Sequence, residues 1–473
     1  MPPQTLAPQR LRSALTPRVA LSIGLAALSV GCTSYEADAI EPIEILRALE
    51  AVGLDDISSE EVAPVTSALD VSNGLSLLEA SAIAVRRNPT LAALRAEVGV
   101  AEAQLVEAGL LSDPVIGWDL IASQAGDILD KVESPAVVSG LSLSWAVPRP
   151  GEIDSKEGVA RAQIQSSAAR LAGAEWALVR DVHLAYARLH VARARLAQNE
   201  RLAEISKRTL DYFDKARAAG AATALEEGLA RVAADTVAAD VIGAQNGAAQ
   251  ARQALNRLLG LPPHVEWKLE DPLERVSGLD GVPGEDPKQL VRESLERRPD
   301  LQEVLADYQR AEEQLRLECA RQWPQLEIGT GIAIQIPIFS QFNQPAIETA
   351  RRSRAAARQR VTLAVQSTRA EIHSALTEVT LTRSALELFR TRLGPQTERT
   401  LRLTERAFQA REVTPLEILT AQRQVLDTQT RFLAVRQAWA EARIRLDSAC
   451  GRLLPSARTP LPSAPKTHQE ESK

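Results

Sequence analysis

The chain repeats itself, and the repeat limits what it can fold into. Residues 88–114 read N-P-T-L-A-A-L-R-A-E-V-G-V-A-E-A-Q-L-V-E-A-G-L-L-S-D-P, and a related stretch runs from Arg298 to Pro324 without a gap. Pro89/Pro299, Leu91/Leu301, Ala101/Ala311, Glu102/Glu312, Leu105/Leu315 and Pro114/Pro324 all stand 210 residues apart (324 minus 114). Two similar halves must each bury the same faces, so the repeat decides the architecture before any local preference does. Each half opens as proline, amphipathic helix, proline. Leu91, Leu94, Val98, Ala101, Leu105 and Ala108 fall at 3/4 spacing on one helical face. Pro89 suits a first helical turn, and the residue before it avoids the helical region, so a helix over 75–87 ends there.

After Pro114 the period changes. Val115–Ala122 and Val137–Val147 are rich in β-branched and aromatic residues, and Leu141, Leu143, Trp145 and Val147 alternate with small or polar residues. That predicts a β-hairpin with one apolar face. Glu152 to about Arg217 then contains no proline, which at about 1.5 Å per residue gives on the order of 100 Å of helix. A break at Gly220–Thr223 leads to a returning helix that ends near Leu259. Its seam is Ala230, Ala234, Val237, Val241, Ala244, Ala248, Ala251, Leu255 and Leu258. The second half repeats the plan, with a helix from about Ala346, a kink or short break at Gly394-Pro395 and a last helix over Pro415–Ala449. In that last helix Ile418, Val425, Phe432, Trp439 and Leu446 recur every seven residues, a coiled-coil period.

These signals divide the chain into a signal segment (1–32), an N-terminal arm (33–74, with a short helix near Pro42–Val52) and a first repeat (75–260, hairpin 115–147, tip 218–226). A linker (261–286), a second repeat (287–452, short hairpin 325–339, tip 411–417) and a disordered tail (453–473) follow. The predicted class is mostly α: long coiled-coil helical hairpins interrupted by short β-hairpins. Arg10, Arg12 and Arg18 precede an apolar run over Val19–Val30, too short to span a bilayer, as in an export signal. Gly31-Cys32 then marks Cys32 as a lipidation site, although Ser29 stands where a lipobox usually carries Leu. Ordinary cleavage nearby and a plain buried cysteine are the competing readings.

Composition closes other routes. A net charge of −6 without a basic, aromatic-interleaved stripe argues against nucleic acid. Three cysteines, one Met and five His share no ligand spacing, so no metal site, cofactor or enzyme active site is expected. His183 and His190, seven apart on one helix, read as surface or core residues before they read as ligands. Cys319 and Cys450 read as small buried residues.

Taken in order and twice over, these elements resemble the TolC-like outer-membrane efflux proteins, over roughly residues 75–452. The marks are Asn88-Pro89-Thr90-Leu91 with Ala101-Glu102-Ala103, Arg298-Pro299-Asp300-Leu301 with Ala311-Glu312, Ile336-Pro337-Ile338-Phe339, and the two tips. The resemblance implies a homotrimer in outer-membrane lipid, with strands shared in one β-barrel and helices continuing as a periplasmic α-barrel. It also implies docking of a periplasmic adaptor and an inner-membrane pump at the tips: Gly220, Thr223, Leu225 and Glu226 in the first, Arg411, Glu412, Thr414, Leu416 and Glu417 in the second. Gly220 suits the turn, Thr223 and Thr414 suit helix caps, and Leu225 is expected in the seam. The implied function is a passive conduit for small molecules or metal ions, without catalysis. A type I secretion duct and a periplasmic scaffold are the alternatives. Physics agrees: lipid forbids open strand edges, so a lone hairpin needs strands from other chains.

Two further features stand out. Arg351, Arg352 and Arg354 belong to a dense cationic run that would line a conduit or form a solvated helix face. Pro114 to Pro148 is 34 steps, but Pro324 to Pro337 is only 13 (148 minus 114; 337 minus 324). A membrane strand needs about 9–11 residues, so the second hairpin is expected to fall short of crossing.

Overall fold

The computed structural model describes Tyr35, Ala37 and residues 40–50, 74–122, 137–270, 272–273, 286–329, 331–410 and 415–453. The chain divides into two units, Met1–Ala51 and Val52–Lys473. The first contributes one described helix, α1 (Pro42–Glu50).

The second unit begins with α2 (Leu77–Arg87), closed at its start by a capping box between Ser76 and Glu79. In α3 (Pro89–Ala108), Asn88 caps the first turn by accepting from the Thr90 N–H at 2.9 Å. Strands β1 (Val115–Ala122) and β2 (Val137–Val147) follow, then the 67-residue helix α4 (Glu152–Ala218) and its returning partner α5 (Ala224–Leu259). The second repeat gives α6 (Pro287–Arg297), α7 (Pro299–Ala320), β3 (Gln325–Gly329), β4 (Ile332–Gln335) and α8 (Gln344–Leu388). A π turn (Phe389–Leu393) joins α8 to α9 (Gly394–Gln409), and α10 (Pro415–Ala449) returns.

Helices α3, α4, α7 and α8 pack in that order, side by side. Farther along, α5, α4, α10 and α8 with α9 form the row. The heptad seams account for the packing. Ala230, Val237, Ala244 and Leu255 of α5 are buried, as are Val425, Trp439, Ala442, Leu446 and Ala449 of α10, with Phe432 and Val435 against the same core. At the first repeat's inner end, Leu75, Ile83, Leu91, Val182, Tyr186, Leu255 and Trp267 form one cluster, and the Tyr186 hydroxyl donates to the Leu75 carbonyl at 2.8 Å.

Arg298 stands where Asn88 does in the first repeat, but its buried guanidinium carries no acceptor atom and does not cap the helix. Its guanidinium donates to both carboxylate oxygens of Asp300, to Glu371 at 2.7 Å and to the Ala449 carbonyl. The Trp176 ring lies against it, 5.3 Å from the guanidinium carbon. One side chain thereby ties α7, α8, α10 and α4 together. Burial opposes its charge, but the two carboxylates outweigh burial and raise its pKa.

The two long descending helices differ by one residue. Buried positions in α4 and α8 align at a spacing of 190 (350 minus 160), as Ala160 with Ala350, Val182 with Ile372 and Leu189 with Val379. The returning helices start at Ala224 and Pro415, 191 apart (415 minus 224). The π turn absorbs the extra residue, with the Gly394 N–H reaching back to the Phe389 carbonyl. Pro395 lacks an N–H and crowds the preceding turn, and the wider π turn before it makes room. The expected kink at Gly394-Pro395 is therefore a π bulge in a continuing helix.

Candidate functional site

All four strands form one antiparallel sheet in the order β1-β2-β3-β4. The register sorts the side chains. Ile116 faces Leu143, Trp145 faces Ile328, Val147 faces Leu326, and Leu326 and Ile328 face Ile334 and Ile332. Strand alternation puts these on one side of the sheet, and every one of them is apolar. The other side carries Val115, Gly117, Ser144, Ala146, Gln325, Glu327, Ala333 and Gln335, small or polar almost throughout. Ile332, Ile334 and Ile116 are exposed, so nothing among the described residues covers them. One lipid-compatible face and one water-compatible face are what the wall of a membrane barrel requires. Where the sheet meets the helices, the Trp145 indole N–H donates to the Ser112 carbonyl at 2.9 Å, anchoring an interfacial aromatic.

The second hairpin is short, as its spacing predicts. Its strands have five and four residues, against eight and eleven in the first. At about 3.4 Å per residue and about 40° tilt, β2 rises about 29 Å and β3 about 13 Å, against an apolar band about 25 Å tall. The hairpin pairs with β2 only over Ser144–Val147. Gly329 ends the pairing: a β-carbon there would sit 1.6 Å from the Leu143 carbonyl oxygen. No residue but glycine fits, and β3 stops at that level.

The strands end at Gln335, short of the expected Phe339, because the chain then makes a left-handed turn. Gln341, Phe342 and Asn343 all have positive φ, between 52° and 61°. Each such residue costs roughly 1–2 kcal/mol. The Asn343 amide offsets part of this by donating to the Glu318 carbonyl and carboxylate at 2.9 Å. The turn leaves Phe339 fully exposed and Phe342 half so, at the foot of the hairpin. Sequence reasoning missed the strain; the side-chain amides of Gln341 and Asn343 around Phe342 were its only signal.

The first tip is built as its residues suggest. Past the end of α4 the chain turns at Gly220, φ +72°, and the Ala221 N–H reaches the Ala216 carbonyl at 2.7 Å. Thr223 caps α5 in a capping box: the Glu226 carboxylate accepts from the Thr223 N–H at 2.7 Å and from its hydroxyl at 2.8 Å. Hydrogen bonds from the Thr223 backbone, then from its hydroxyl, lower the Glu226 pKa. Glu227 pairs with Arg217 across the helix pair and with Arg231 one turn along α5. One expectation fails. Leu225 is 71% exposed and outside the seam. It lies five residues before buried Ala230, about 140° around the helix. With Leu229 and Val232, also exposed, it forms an outward apolar stripe at 4/3 spacing. In the second tip Arg411, Glu412 and Thr414, and the Leu416 side chain, lie outside the described residues, while Glu417 is exposed. Cys32 also lies outside them.

The cationic run on α8 is partly neutralised. Arg354 bonds Glu312 of α7 and Arg352 bonds Glu348, while Arg351 is exposed. His183 is half-buried, and burial lowers its pKa to about 4. Cys450 is buried, whereas Cys319 is only partly so, because it lies at the margin of the small Leu315–Ile347–Ala350 cluster. Among the described residues no cluster of His, Cys, Asp or Glu could hold a metal, and no helix is long and apolar enough to cross a membrane.

The model of the outer membrane efflux protein family matches residues 81–261 and 290–452. The chain is 21% identical over 400 residues to the cobalt-zinc-cadmium resistance protein CzcC of Cupriavidus metallidurans, covering 81% of this chain and 91% of that protein. Among solved structures it is similar to CusC (TM-score 0.67, 19% identity, 79% of this chain and 92% of the other). It is also similar to the open state of the Neisseria gonorrhoeae MtrE outer membrane channel (TM-score 0.66, 18% identity, 89% and 98%).

Proposed function

The chain belongs to the outer membrane efflux protein family, and on that premise we propose that it is the trimeric exit duct of a tripartite, RND-type efflux system. The observation that carries this reading is the two-faced sheet standing directly on the row of four long helices. Three copies would complete a wall that is apolar toward lipid and polar within. The duct is passive; energy and selection come from the pump. Divalent metal ions are the cargo best supported, by the similarity to a protein named for cobalt, zinc and cadmium resistance. The tips dock the periplasmic adaptor, and the exposed Leu225–Leu229–Val232 stripe supplies the apolar contact. Cys32 carries the lipid anchor in the outer membrane, and Cys32→Ser would abolish the corresponding mass increment.

Zinc, cobalt and cadmium tolerance should rise when the chain is expressed with its pump and adaptor in a duct-deficient bacterium. Unchanged tolerance with the chain correctly in the outer membrane would overturn the metal-efflux assignment. The short β3–β4 hairpin favours one second reading, a periplasmic scaffold whose pore is incomplete.

A further inference from the structure

We infer that the lateral surface joining successive copies pairs Ala93, Glu97 and Val100 of one chain with Ser353, Ala356 and Arg360 of the next. This inference rests on the trimeric reading above and gives that trimer a specific register.

The argument uses the repeat as a ruler. In the row α3–α4–α7–α8, the repeat carries α3 onto α7 at a spacing of 210 and α4 onto α8 at 190. The central contact, α4 against α7, joins the end of the first repeat to the start of the second. Its equivalent joins the end of the second repeat, α8, to the start of another first repeat, α3. Within one chain α3 and α8 stand at opposite ends of the row, so that contact requires a second copy, placed head to tail.

The central contact is well defined. The Ser166 hydroxyl donates to Asp307 at 2.8 Å, Arg170 to Glu303 at 3.1 Å, and Arg310 to the Gln163 amide oxygen at 2.9 Å. Transposed, Ser166–Asp307 becomes Ala356–Glu97, Arg170–Glu303 becomes Arg360–Ala93, and Gln163–Arg310 becomes Ser353–Val100. All six residues are exposed or largely so in the single chain, and Val100 is 58% exposed. On α3 they recur at 4/3 spacing and on α8 at 3/4, as two seams must. The charges also fit. Arg170 is attracted first by Glu303, then by Asp307 and by Glu97 of α3 in the same chain. Its counterpart Arg360 loses the Glu303 equivalent, which is Ala93, but keeps the Asp307 equivalent, Glu97. Leu363, 65% exposed, stands where Gly173 does and extends the seam with apolar surface. The surface between copies is therefore smaller and more apolar than the one within a copy, with one ion pair, Arg360–Glu97.

Disulfide trapping tests this. Two differently tagged full-length chains, Glu97→Cys and Ala356→Cys, are co-expressed and oxidised, with each single variant alone controlling for the native cysteines. Arg358→Cys, two residues along and on another side of α8, replaces Ala356→Cys in the control pair. A reducible, mixed-tag species from the first pair and none from the control is expected. Native mass spectrometry showing a trimer without that species, or with cross-linking of the control pair, would overturn this register and leave the proposed function standing. A monomer would overturn the trimeric reading itself. A reciprocal exchange gives an independent arm: Arg360→Glu should lower the trimer fraction, and adding Glu97→Arg should restore it. No restoration in a folded double variant counts against the pairing.

Discussion

His183 offers a quantitative handle on the helical bundle. Burial holds its imidazole pKa at about 4, below the ordinary 6.5. A folded-state pKa that is depressed stabilises the fold above the unfolded value and withdraws that stability as pH falls through the folded one. The window is therefore pH 6.5 down to about 4. At pH 5 the unfolded chain has taken up a proton that the folded chain refuses, a cost of about 2 kcal/mol, rising to about 3 kcal/mol at pH 4. Partial exposure of the side chain makes these ceilings. His183→Leu removes the titration with a side chain of similar bulk. Chemical denaturation of the detergent-solubilised protein at pH 7.5 and pH 5, followed by tryptophan fluorescence, measures the difference. The wild type should lose up to about 2 kcal/mol more than the variant between those values. Equal losses in both proteins would refute the assignment of a half-buried imidazole held neutral.

Three further outcomes follow from named contacts. Gly329→Val should detach β3 from β2, since the Leu143 carbonyl occupies the space a side chain needs, and heat-modifiable mobility of the assembled barrel should be lost; intact assembly would contradict the close approach. Thr223→Ala removes the cap of α5 and should cost about 1 kcal/mol, visible as faster proteolysis at the first tip with the rest of the chain unchanged. Glu441 is the pH probe of the contact between α10 and α4: burial alone would raise its carboxyl pKa, but hydrogen bonds from Arg188 and Gln437 and the charges of Arg188 and Arg445 hold it below its ordinary value. That contribution is full above about pH 4.5 and lost as pH falls through the lowered pKa, so Glu441→Gln should weaken the protein at pH 7 and flatten its acid limb.

The repeat and the heptads made most of the fold legible. Pro89 and Pro299 start helices, Pro415–Ala449 bounds the last helix as read, and the short second hairpin follows from the distance between two prolines. What the residues did not reveal depends on angle and on long-range contact. Leu225 looked like a seam residue because it is apolar and near the turn, but its phase relative to Ala230 turns it outward. The Arg298 cluster joins residues up to 151 positions apart, beyond the reach of local pattern. The π turn shows only as a one-residue difference between halves, which becomes visible once buried positions are aligned. The left-handed turn over Gln341–Asn343 had no strong local signature, since Phe342 is an unfavourable residue for that conformation.

The central claim is that three copies enclose a water-filled path whose wall includes a short second hairpin. Conductance of the purified protein in planar lipid bilayers tests it most directly. Discrete current steps, abolished when Gly329→Val prevents β3 from pairing, are the result expected of a duct. A folded, trimeric protein that associates with the bilayer and passes no current, even after the tips are removed to open the periplasmic end, would contradict the claim and favour the scaffold.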